Sequence, residues 1–456
     1  MEPYRFHVFA CTQQKPEGAP CCSAQGALSL LDDLGREIRE RGLDGQVQLT
    51  TCGCMGLCEE GPILVVYPEG VWYRRVQASD IPEIVARHLG LGQAVERLVW
   101  NDAAAMHALS TEHAEKFRAT AAARERAGVL PEHIEQMIRG YMPSRSILTA
   151  LELDLFTAVG SGARAEEIAA KIEADPRAAA MLLDALVALG LIAKKDGVYR
   201  NTPESARFFA RDSQDSQRDG LLHTANIWHR WSILTEAVRR GSAVADGRAR
   251  PSDIGASDWT RNFIAGMQRN ARSRAPLVVK TLGVEGVRRI LDLGGGSGIY
   301  SIAFAQASTD VRCEILDLPE VIPLTSGYVA KAGVSAQVRL RAGDMLKDDL
   351  GSGYDLVLLN AICHMFSAEQ NRELFRRIRR ALAPKGRLAV QDFILNPDKT
   401  GPVFAALFSL NMLVGTAGGA SYSEPEYAAW MREAGFAEVR RSNLPGPSSL
   451  IVGQAA

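Results

Sequence analysis

The order of apolar and polar positions divides the chain into four stretches. Up to about residue 95 it has the short alternation typical of strands, as in the apolar segment from Ile63 to Tyr73. Residues 98–130 are rich in alanine, glutamate and arginine, which predicts an exposed helix that tethers two domains. Residues 131–210 read as short amphipathic helices followed by a hairpin, and residues 211–456 as strands alternating with helices. We therefore expect an α/β multidomain chain divided at 1–97, 98–130, 131–210 and 211–456.

Composition narrows the class of protein. The chain of 456 residues is 46% hydrophobic and 23% charged, with a net charge of −1. It contains neither an apolar run long enough to span a bilayer nor a basic run interleaved with aromatic residues, which argues against membrane and nucleic-acid partners. Its first residues, MEPYRFHVFACT, lack the features of a signal peptide. We expect a cytoplasmic protein.

Cysteine is concentrated at the amino terminus. Six of the eight cysteines lie at positions 11, 21, 22, 52, 54 and 58, and the other two at 313 and 363. Soft thiolate ligands select iron-sulfur clusters or zinc. Zinc remains an alternative, although structural zinc sites usually pair their cysteines more closely than Cys11 and Cys22. A disulfide framework would need an oxidising compartment, so it is the weakest of the three interpretations.

The local context of these cysteines resembles a known family. Cys22 lies in CSAQG, and Cys54 and Cys58 lie in GCMGLCEEGP, followed by an apolar strand. With Cys11 the spacing is Cys-x10-Cys-x31-Cys-x3-Cys, which resembles the thioredoxin-like 2Fe-2S ferredoxins. The resemblance implies a thioredoxin-like fold and iron ligation by Cys11, Cys22, Cys54 and Cys58. Cys21 adjoins Cys22 and could replace it as a ligand.

A glycine-rich loop marks a nucleotide-like site in the last stretch. An apolar strand from Ile290 to Leu293 runs into GGGSG and then a helix, so Gly294, Gly296 and Gly298 would allow the backbone to approach a ligand. Asp317 ends the next strand, where an acidic residue can bind ribose hydroxyls. Asp344 and Met345 follow the third strand, where a carboxylate and a thioether could contact an adenine ring.

The combination of GGGSG and GDM resembles the class I S-adenosylmethionine-dependent O-methyltransferases of the caffeic acid and polyketide-tailoring type. The segment from Tyr354 to Leu395 resembles the part of that family that carries its general base, and the resemblance implies His364 as the base and Asp392 as its partner. The family commonly has glutamate where this chain has Asp392. The resemblance also implies a Rossmann-like domain that binds S-adenosylmethionine. The cofactor-binding residues would be Asp292, Gly294, Gly296, Gly298, Asp317, Leu318, Gly343, Asp344, Met345 and Asn360.

Residues 131–210 would form a helical, winged-helix-like unit. A DNA-binding role is disfavoured because its presumed recognition helix carries Arg177 against Asp175 and Asp184. By the family resemblance this unit would serve dimerisation, so a homodimer is expected. Aromatic and methionine side chains that could line the pocket for a small-molecule methyl acceptor are Trp228, His229, Trp231, Phe408 and Met412.

The two resemblances together predict a methyltransferase fused to a ferredoxin-like domain. Methyl transfer needs no electrons, so the cluster would regulate the enzyme or transfer electrons with a redox partner protein. The alternative is an electron-transfer protein or redox enzyme in which the methyltransferase fold has a non-methylating or docking role.

Overall fold

The computed structural model describes residues 3–13, 15, 20–244 and 256–455, with the side chains of 256–258 left out. The chain divides into two compact units, Met1–Gly140 and Tyr141–Ala456. The domain limits given above remain predictions. Among the described residues, no helix is both long and apolar enough to cross a membrane.

The amino-terminal unit is built on a four-stranded sheet. Its strands are β1 (Phe6–Cys11), β2 (Val47–Cys52), β3 (Leu64–Tyr67) and β4 (Val71–Tyr73). Their order is β2-β1-β3-β4, with β1 parallel to β2 and the other pairs antiparallel. Helices of this unit are α1 (Ala27–Glu40), α2 (Ile81–Glu83, continued by a π-helical segment Ile84–Gly90), α3 (Ala103–Arg126) and α4 (Glu132–Arg139). The resulting element order is βαβ followed by ββα.

The core of this sheet follows from the spacing of apolar residues on α1. Leu30, Leu34 and Ile38 recur every four residues, so they share one face of the helix and pack on Val8 and Val66 of the sheet. Leu34 is fully buried. The sequence pattern thus fixes which face of α1 meets the sheet.

The predicted polar helix after residue 98 is observed as α3. Asp102 caps its amino terminus by accepting a hydrogen bond from the Ala105 N–H. The sequence predicted a fully exposed helix, but the first turns of α3 contact the core. Met106 and Leu109 pack against the buried group that includes Cys11 and Cys22. The helix therefore has one end attached to the cysteine region.

The carboxyl-terminal unit begins with helices and a hairpin. The helices are α5 (Tyr141–Glu152), α6 (Leu155–Val159), α7 (Ala165–Lys171), α8 (Pro176–Ala188), α9 (Pro203–Phe208), α10 (Arg218–Ser232) and α11 (Leu234–Arg240). The hairpin consists of β5 (Ile192–Lys195) and β6 (Val198–Asn201). The predicted helices followed by a hairpin are present in this order.

The rest of the unit is a seven-stranded sheet covered by helices. Its strands are β7 (Arg289–Leu293), β8 (Arg312–Asp317), β9 (Val338–Ala342), β10 (Tyr354–Asn360), β11 (Leu382–Asp392), β12 (Phe436–Asn443) and β13 (Ser449–Ala455). The helices are α12 (Ala256–Ala271), α13 (Ala275–Leu282), α14 (Ile299–Ala307), α15 (Ile322–Lys331), α16 (Ala368–Ala381), α17 (Val403–Gly415) and α18 (Glu424–Glu433). The sheet order is β12-β13-β11-β10-β7-β8-β9, and only β13 runs against its neighbours. This is the predicted Rossmann-like architecture.

The sheet order determines where a ligand can bind. The chain runs from β7 outward through β8 to β9 and then returns to place β10 on the other side of β7. This reversal opens a crevice beyond the carboxyl ends of β7 and β10, which is where open α/β sheets bind their ligands. Two large apolar cores, one containing Leu359 and Phe375 and one containing Phe304 and Leu358, hold the sheet and its helices.

Candidate active site and cysteine cluster

The glycine loop lies at the end of β7 and has the conformation that only glycine adopts readily. Gly294, Gly296 and Gly298 have φ angles of +65°, +57° and +75°. A Cβ on Gly294 would lie 2.4 Å from Ile362 Cδ1 and 3.0 Å from Met345 Cε. The turn therefore needs glycine both for its conformation and for its close approach to side chains from the segments that follow β10 and β9.

Two acidic side chains border this loop. Asp317 at the end of β8 accepts hydrogen bonds of 2.7 Å from the N–H groups of Gly296 and Leu318. Asp292 is completely buried and accepts a 2.7 Å hydrogen bond from Ser301, while its other oxygen has no partner among the described residues. Burial raises the pKa of Asp292 to about 6, against the opposing effect of the Ser301 hydrogen bond.

The remaining predicted cofactor residues surround the same crevice. Asp344 is partly exposed and pairs with Lys347 at 3.0 Å. Leu318 is 45% exposed beside the loop. Gly343 precedes Asp344, and a Cβ there would lie 2.8 Å from Asp348 Oδ2. Asn360, at the end of β10, is buried, and neither polar atom of its amide has a hydrogen-bond partner among the described residues. These unpaired polar atoms and the open glycine loop fit a polar nucleoside ligand.

His364 lies just beyond β10, in a 3-10 turn over Cys363–Met365. Its Nδ1 lies 2.6 Å from Oδ1 of Asp392, which ends the adjacent strand β11, and its backbone N–H donates to the same carboxylate at 3.1 Å. Tyr427 of α18 donates its hydroxyl at 2.9 Å and Phe393 its backbone N–H at 2.8 Å. The completely buried carboxylate thus accepts from four donors.

These donors determine the state of the pair. Burial alone would raise the pKa of Asp392, but the charge and hydrogen bond of His364, with the bonds from Phe393 and Tyr427, hold it below its ordinary value. An ionised carboxylate can only accept, so Nδ1 of His364 carries the proton. The other ring nitrogen, Nε2, is then the one available as a base.

Aromatic rings enclose the imidazole of His364. Phe408 of α17 packs edge-on at a centroid distance of 4.8 Å, and Phe393 stacks at 6.0 Å. Phe404 contacts Phe393 at 4.9 Å. The imidazole therefore faces an apolar, aromatic wall suited to a planar ligand.

The proposed pocket residues do not all share this location. Phe408 contacts His364, Met412 is buried on the same helix, and Trp231 donates to Asn411 Oδ1 at 2.8 Å. Trp228 instead packs against the helical core and the guanidinium of Arg145, and His229 is exposed. Of the five residues, Phe408 is the one in ring contact with His364, and the assignment of the pocket remains a prediction.

Comparison with known proteins identifies the fold and the family. Residues 135–211 match the O-methyltransferase dimerisation domain, and residues 231–437 match the O-methyltransferase domain. The chain is 33% identical over 333 residues to 3-hydroxy-5-methyl-1-naphthoate 3-O-methyltransferase of Streptomyces sahachiroi, covering 72% of this chain and 96% of the relative. The chain belongs to the O-methyltransferase family.

Further relatives agree with this assignment. The chain is 30% identical to the tetracenomycin polyketide synthesis 8-O-methyl transferase TcmO of Streptomyces glaucescens, over 71% of this chain and 96% of that one. The solved structure of PigF with SAH aligns with a TM-score of 0.66 and 29% identity, over 71% of this chain and all of PigF. The protein is thus an S-adenosylmethionine-dependent O-methyltransferase, and the prediction of that activity and cofactor is confirmed.

The amino-terminal unit of this methyltransferase holds the four predicted cysteine ligands close together. Cys11, Cys22 and Cys58 are buried and Cys54 is exposed, and all are free thiols. The Sγ atoms of Cys54 and Cys58 are 3.3 Å apart. A hydrogen bond between Cys11 and Cys22 lowers the pKa of Cys11 to about 6 and raises that of Cys22. The two pairs are neighbours, since a Cβ on Gly61 would lie within 3.4 Å of both Sγ of Cys22 and the carbonyl oxygen of Cys58.

Close packing surrounds this group of sulfurs. A Cβ on Gly61 would lie only 2.7 Å from Sγ of Cys22, so the Gly-Pro step after Cys58 must carry glycine. Cys21 is buried, and its Sγ accepts a hydrogen bond from the Ala24 N–H at 3.4 Å. Cys52 lies nearby and is partly exposed. Cys22 rather than Cys21 is therefore the one paired with Cys11.

Sequence reasoning missed two further residues at this group. Lys15 Nζ lies 2.9 Å from Sγ of Cys58 and donates to Nε2 of His113, which reaches the site from α3. His113, Cys54 and Cys58 place their ligand atoms within 4.8 Å of one another. His113 follows Cys58 by 55 residues, a separation that does not indicate a shared site, so only the packing of α3 reveals it.

The raised pKa of Asp292 predicts a specific pH dependence of stability. The pKa of about 6 in the folded protein lies above the ordinary 3.8. The Asp292 carboxyl group therefore contributes fully to the free energy of unfolding below pH 3.8, and this stabilisation is lost as pH rises through 6. Replacing Asp292→Asn should therefore stabilise the ligand-free protein more at pH 7 than at pH 4.5, by about 2 kcal/mol. Urea unfolding at the two pH values measures the difference, with the exposed Asp310→Asn as control. Equal gains at both pH values would contradict the prediction.

Proposed function

We propose that the enzyme O-methylates a hydroxylated aromatic, polyketide-like small molecule, with His364 as general base and Asp392 as its orienting partner. The observation that carries the proposal is the hydrogen bond from Nδ1 of His364 to the buried Asp392 carboxylate, inside an aromatic wall. The names of two relatives, which refer to a hydroxynaphthoate and to tetracenomycin synthesis, support the substrate class.

S-adenosylmethionine supplies an electrophilic methyl group when it is bound. The unpaired amide of Asn360 and the positive-φ glycines support a cofactor site at the ends of β7 and β10. In this proposal the set that holds it consists of Asp292, Gly294, Gly296, Gly298, Asp317, Leu318, Gly343, Asp344, Met345 and Asn360. Asp317 and Asn360 would bind through polar atoms, while the glycines leave room for the ligand.

The protein's own contribution is orientation and proton removal. Asp392 keeps the proton of His364 on Nδ1, so that Nε2 can accept the proton of an acceptor hydroxyl as its oxygen becomes a nucleophile. Phe393 and Phe408 would hold the aromatic acceptor and exclude water. Positioning of this kind removes a large part of the activation barrier of a bimolecular transfer.

Substituting the proposed base should greatly reduce turnover. We expect His364→Ala to lower kcat about 10²- to 10⁴-fold, because a positioned base contributes this much. Asp392→Asn should also lower kcat, since an amide can hold the ring in the other tautomer. Binding of S-adenosylhomocysteine, measured by calorimetry, should remain intact in both variants. The exposed His229→Ala serves as control, and full activity of His364→Ala would rule out the base role.

For the amino-terminal unit we infer a thioredoxin-like fold with a 2Fe-2S cluster on Cys11, Cys22, Cys54 and Cys58. Its βαβ and ββα order, the two neighbouring cysteine pairs and the thiolate donor set support this inference. When bound, the cluster would supply one-electron redox chemistry. Its role would be redox regulation of methyl transfer or exchange of electrons with a partner protein.

The rival for the same cysteines is a zinc ion. Cys54, Cys58 and His113 offer three ligand atoms of types that zinc accepts. The iron-sulfur proposal uses Cys11 and Cys22, whereas the zinc alternative depends on His113. The two can therefore be separated by substitution.

Metal analysis of anaerobically purified protein tests this inference. We expect two irons and two sulfides per chain, with visible absorption that is lost in Cys22→Ser and retained in Cys21→Ser and His113→Ala. The paired substitutions of adjacent cysteines provide a matched control for folding and thiol number. One zinc per chain, lost in His113→Ala, would overturn the cluster assignment.

We also propose that the enzyme is a cytoplasmic homodimer, formed through the winged-helix-like helical part. The match to a dimerisation domain supports this, as does a run of exposed apolar side chains along α4 and α5. Met137, Ile138, Tyr141 and Met142 are all more than half exposed in the single chain. Exposed apolar surface of this kind is typical of subunit interfaces.

A single charge in this apolar run should weaken the dimer. We expect Ile138→Glu to shift the protein toward the monomer, because a carboxylate would have to be buried without a partner. Light scattering after size exclusion measures the mass. Val238→Glu is the control, since Val238 is 58% exposed against 60% for Ile138. An unchanged dimer in Ile138→Glu would exclude this run from the interface.

A further inference from the structure

We propose that the methyl acceptor carries a carboxylate, which Arg230 and Arg269 bind in the acceptor pocket at a distance from His364. The inference rests on the proposed O-methylation of an aromatic acceptor and names the chemical class of that acceptor more closely. It assigns a binding role to two guanidinium groups that the proposed methyl-transfer step does not use.

The two arginines lie where α10 and α12 pack together. Arg230 donates to the Gly415 carbonyl at 3.4 Å and stacks on Trp259 with 5.3 Å between the guanidinium carbon and the ring centroid. Arg269 donates to Asn270 Oδ1 at 3.1 Å. Both side chains are about half-buried, and within the described part of the chain neither has a carboxylate within ion-pair distance.

Unsatisfied donors cluster around these guanidiniums. On α10, His223 and Asn226 each have a buried nitrogen without a hydrogen-bond partner among the described residues. On α12, Nε of Arg269 and the acceptor Oε1 of Gln268 are in the same condition, so donors outnumber acceptors three to one. Native proteins leave few such groups unpaired. Three nitrogens that can donate, together with two positive charges, form a site that an anion would complete.

The state of His223 agrees with a positive local potential. Burial, reinforced by the charges of Arg230 and Arg269, lowers the pKa of His223 to about 4. The ring also packs against Trp259 and Phe263 at 5.6 and 5.1 Å. A planar aromatic acid could therefore contact rings and cations at the same time.

Helix α17 relates this cationic group to the proposed base. Phe408, which contacts His364, and Gly415, which accepts from Arg230, are seven residues apart and lie on one face of the helix. Seven residues correspond to roughly 10 Å along the helix axis. This length fits a fused-ring acceptor with its hydroxyl near His364 and its carboxylate at the opposite end.

A carboxylate also occurs on the methionyl part of S-adenosylmethionine, so two sources of the anion are conceivable. We favour the acceptor because the contacts of Arg230 are with Trp259 and with α17, the helix that carries Phe408 of the aromatic wall, and do not include the glycine loop at the end of β7. The residue of α12 that approaches that loop is Ile264, whose Cδ1 would be 3.7 Å from a Cβ on Gly296.

The experiment compares acceptors that differ only in charge. A naphthoate with hydroxyl and carboxylate at opposite ends of the ring system is assayed beside its carboxamide and the parent naphthol, using the full-length enzyme, Arg230→Gln and Arg230→Lys. We expect Arg230→Gln to raise KM for the acid about 10- to 100-fold, the effect of losing a charged hydrogen bond. The KM for both neutral compounds should change less than about 3-fold, and kcat should change little, because the loss concerns binding of one charged group.

Two further variants and a measurement of cofactor binding distinguish the possible outcomes. Arg230→Lys should restore part of the affinity for the acid, and the exposed Arg239→Gln should behave as wild type. Equal KM values for the acid and the neutral compounds in the wild-type enzyme would overturn the proposal. So would weaker binding of S-adenosylhomocysteine by Arg230→Gln with unchanged KM for the acid, because the anion would then be that of the cofactor.

Direct binding separates this inference from the proposed function. If no compound is methylated, calorimetric titration of the naphthoate into the S-adenosylhomocysteine complex still tests the anion site. Binding that is lost in Arg230→Gln would support the site while refuting O-methylation of such acceptors. Absence of binding to the wild-type complex would overturn the anion site itself.

Discussion

The buried carboxylate of Asp392 is the group on which the active site depends. An ionised carboxylate without solvent is stable only when donors surround it, and here four donors do so. They come from Phe393, the residue after strand β11, from the turn that carries His364 and, through Tyr427, from helix α18. One electrostatic requirement thus joins three separate elements and holds the imidazole in one orientation and one tautomer.

The sheet topology brings this pair to the cofactor crevice. Reversal of the strand order between β7 and β10 places the glycine loop and the His364 turn at adjacent strand ends. Residues more than sixty positions apart along the chain thereby border one crevice. Helices α10, α12 and α17 add aromatic and cationic side chains, so the proposed recognition of the acceptor depends on helices, while the proposed chemistry depends on strand ends.

In the amino-terminal unit, too, polar or reactive side chains gather beside an apolar core. Its sheet and α1 form an ordinary apolar core, and its cysteines gather beside that core, where Gly61 permits the close approach of Cys22. Helix α3 contributes His113 and contacts the cysteine region through Met106 and Leu109. A change of ligand or charge at the cysteines would thus act directly on this helix.

The sequence alone determined the local features whose chemistry depends on neighbours in the chain. Apolar periodicity predicted the helices before the hairpin, and the glycines predicted the loop after β7. The pairing of His364 with Asp392, 28 residues away, was implied by the family resemblance and not by a local pattern. Tertiary structure alone decided the long-range contacts: Tyr427 on Asp392, His113 at the cysteines, and Arg230 beside Trp259. Such contacts depend on how helices pack, and helical spacing looks the same whether a residue faces a core, a pocket or solvent.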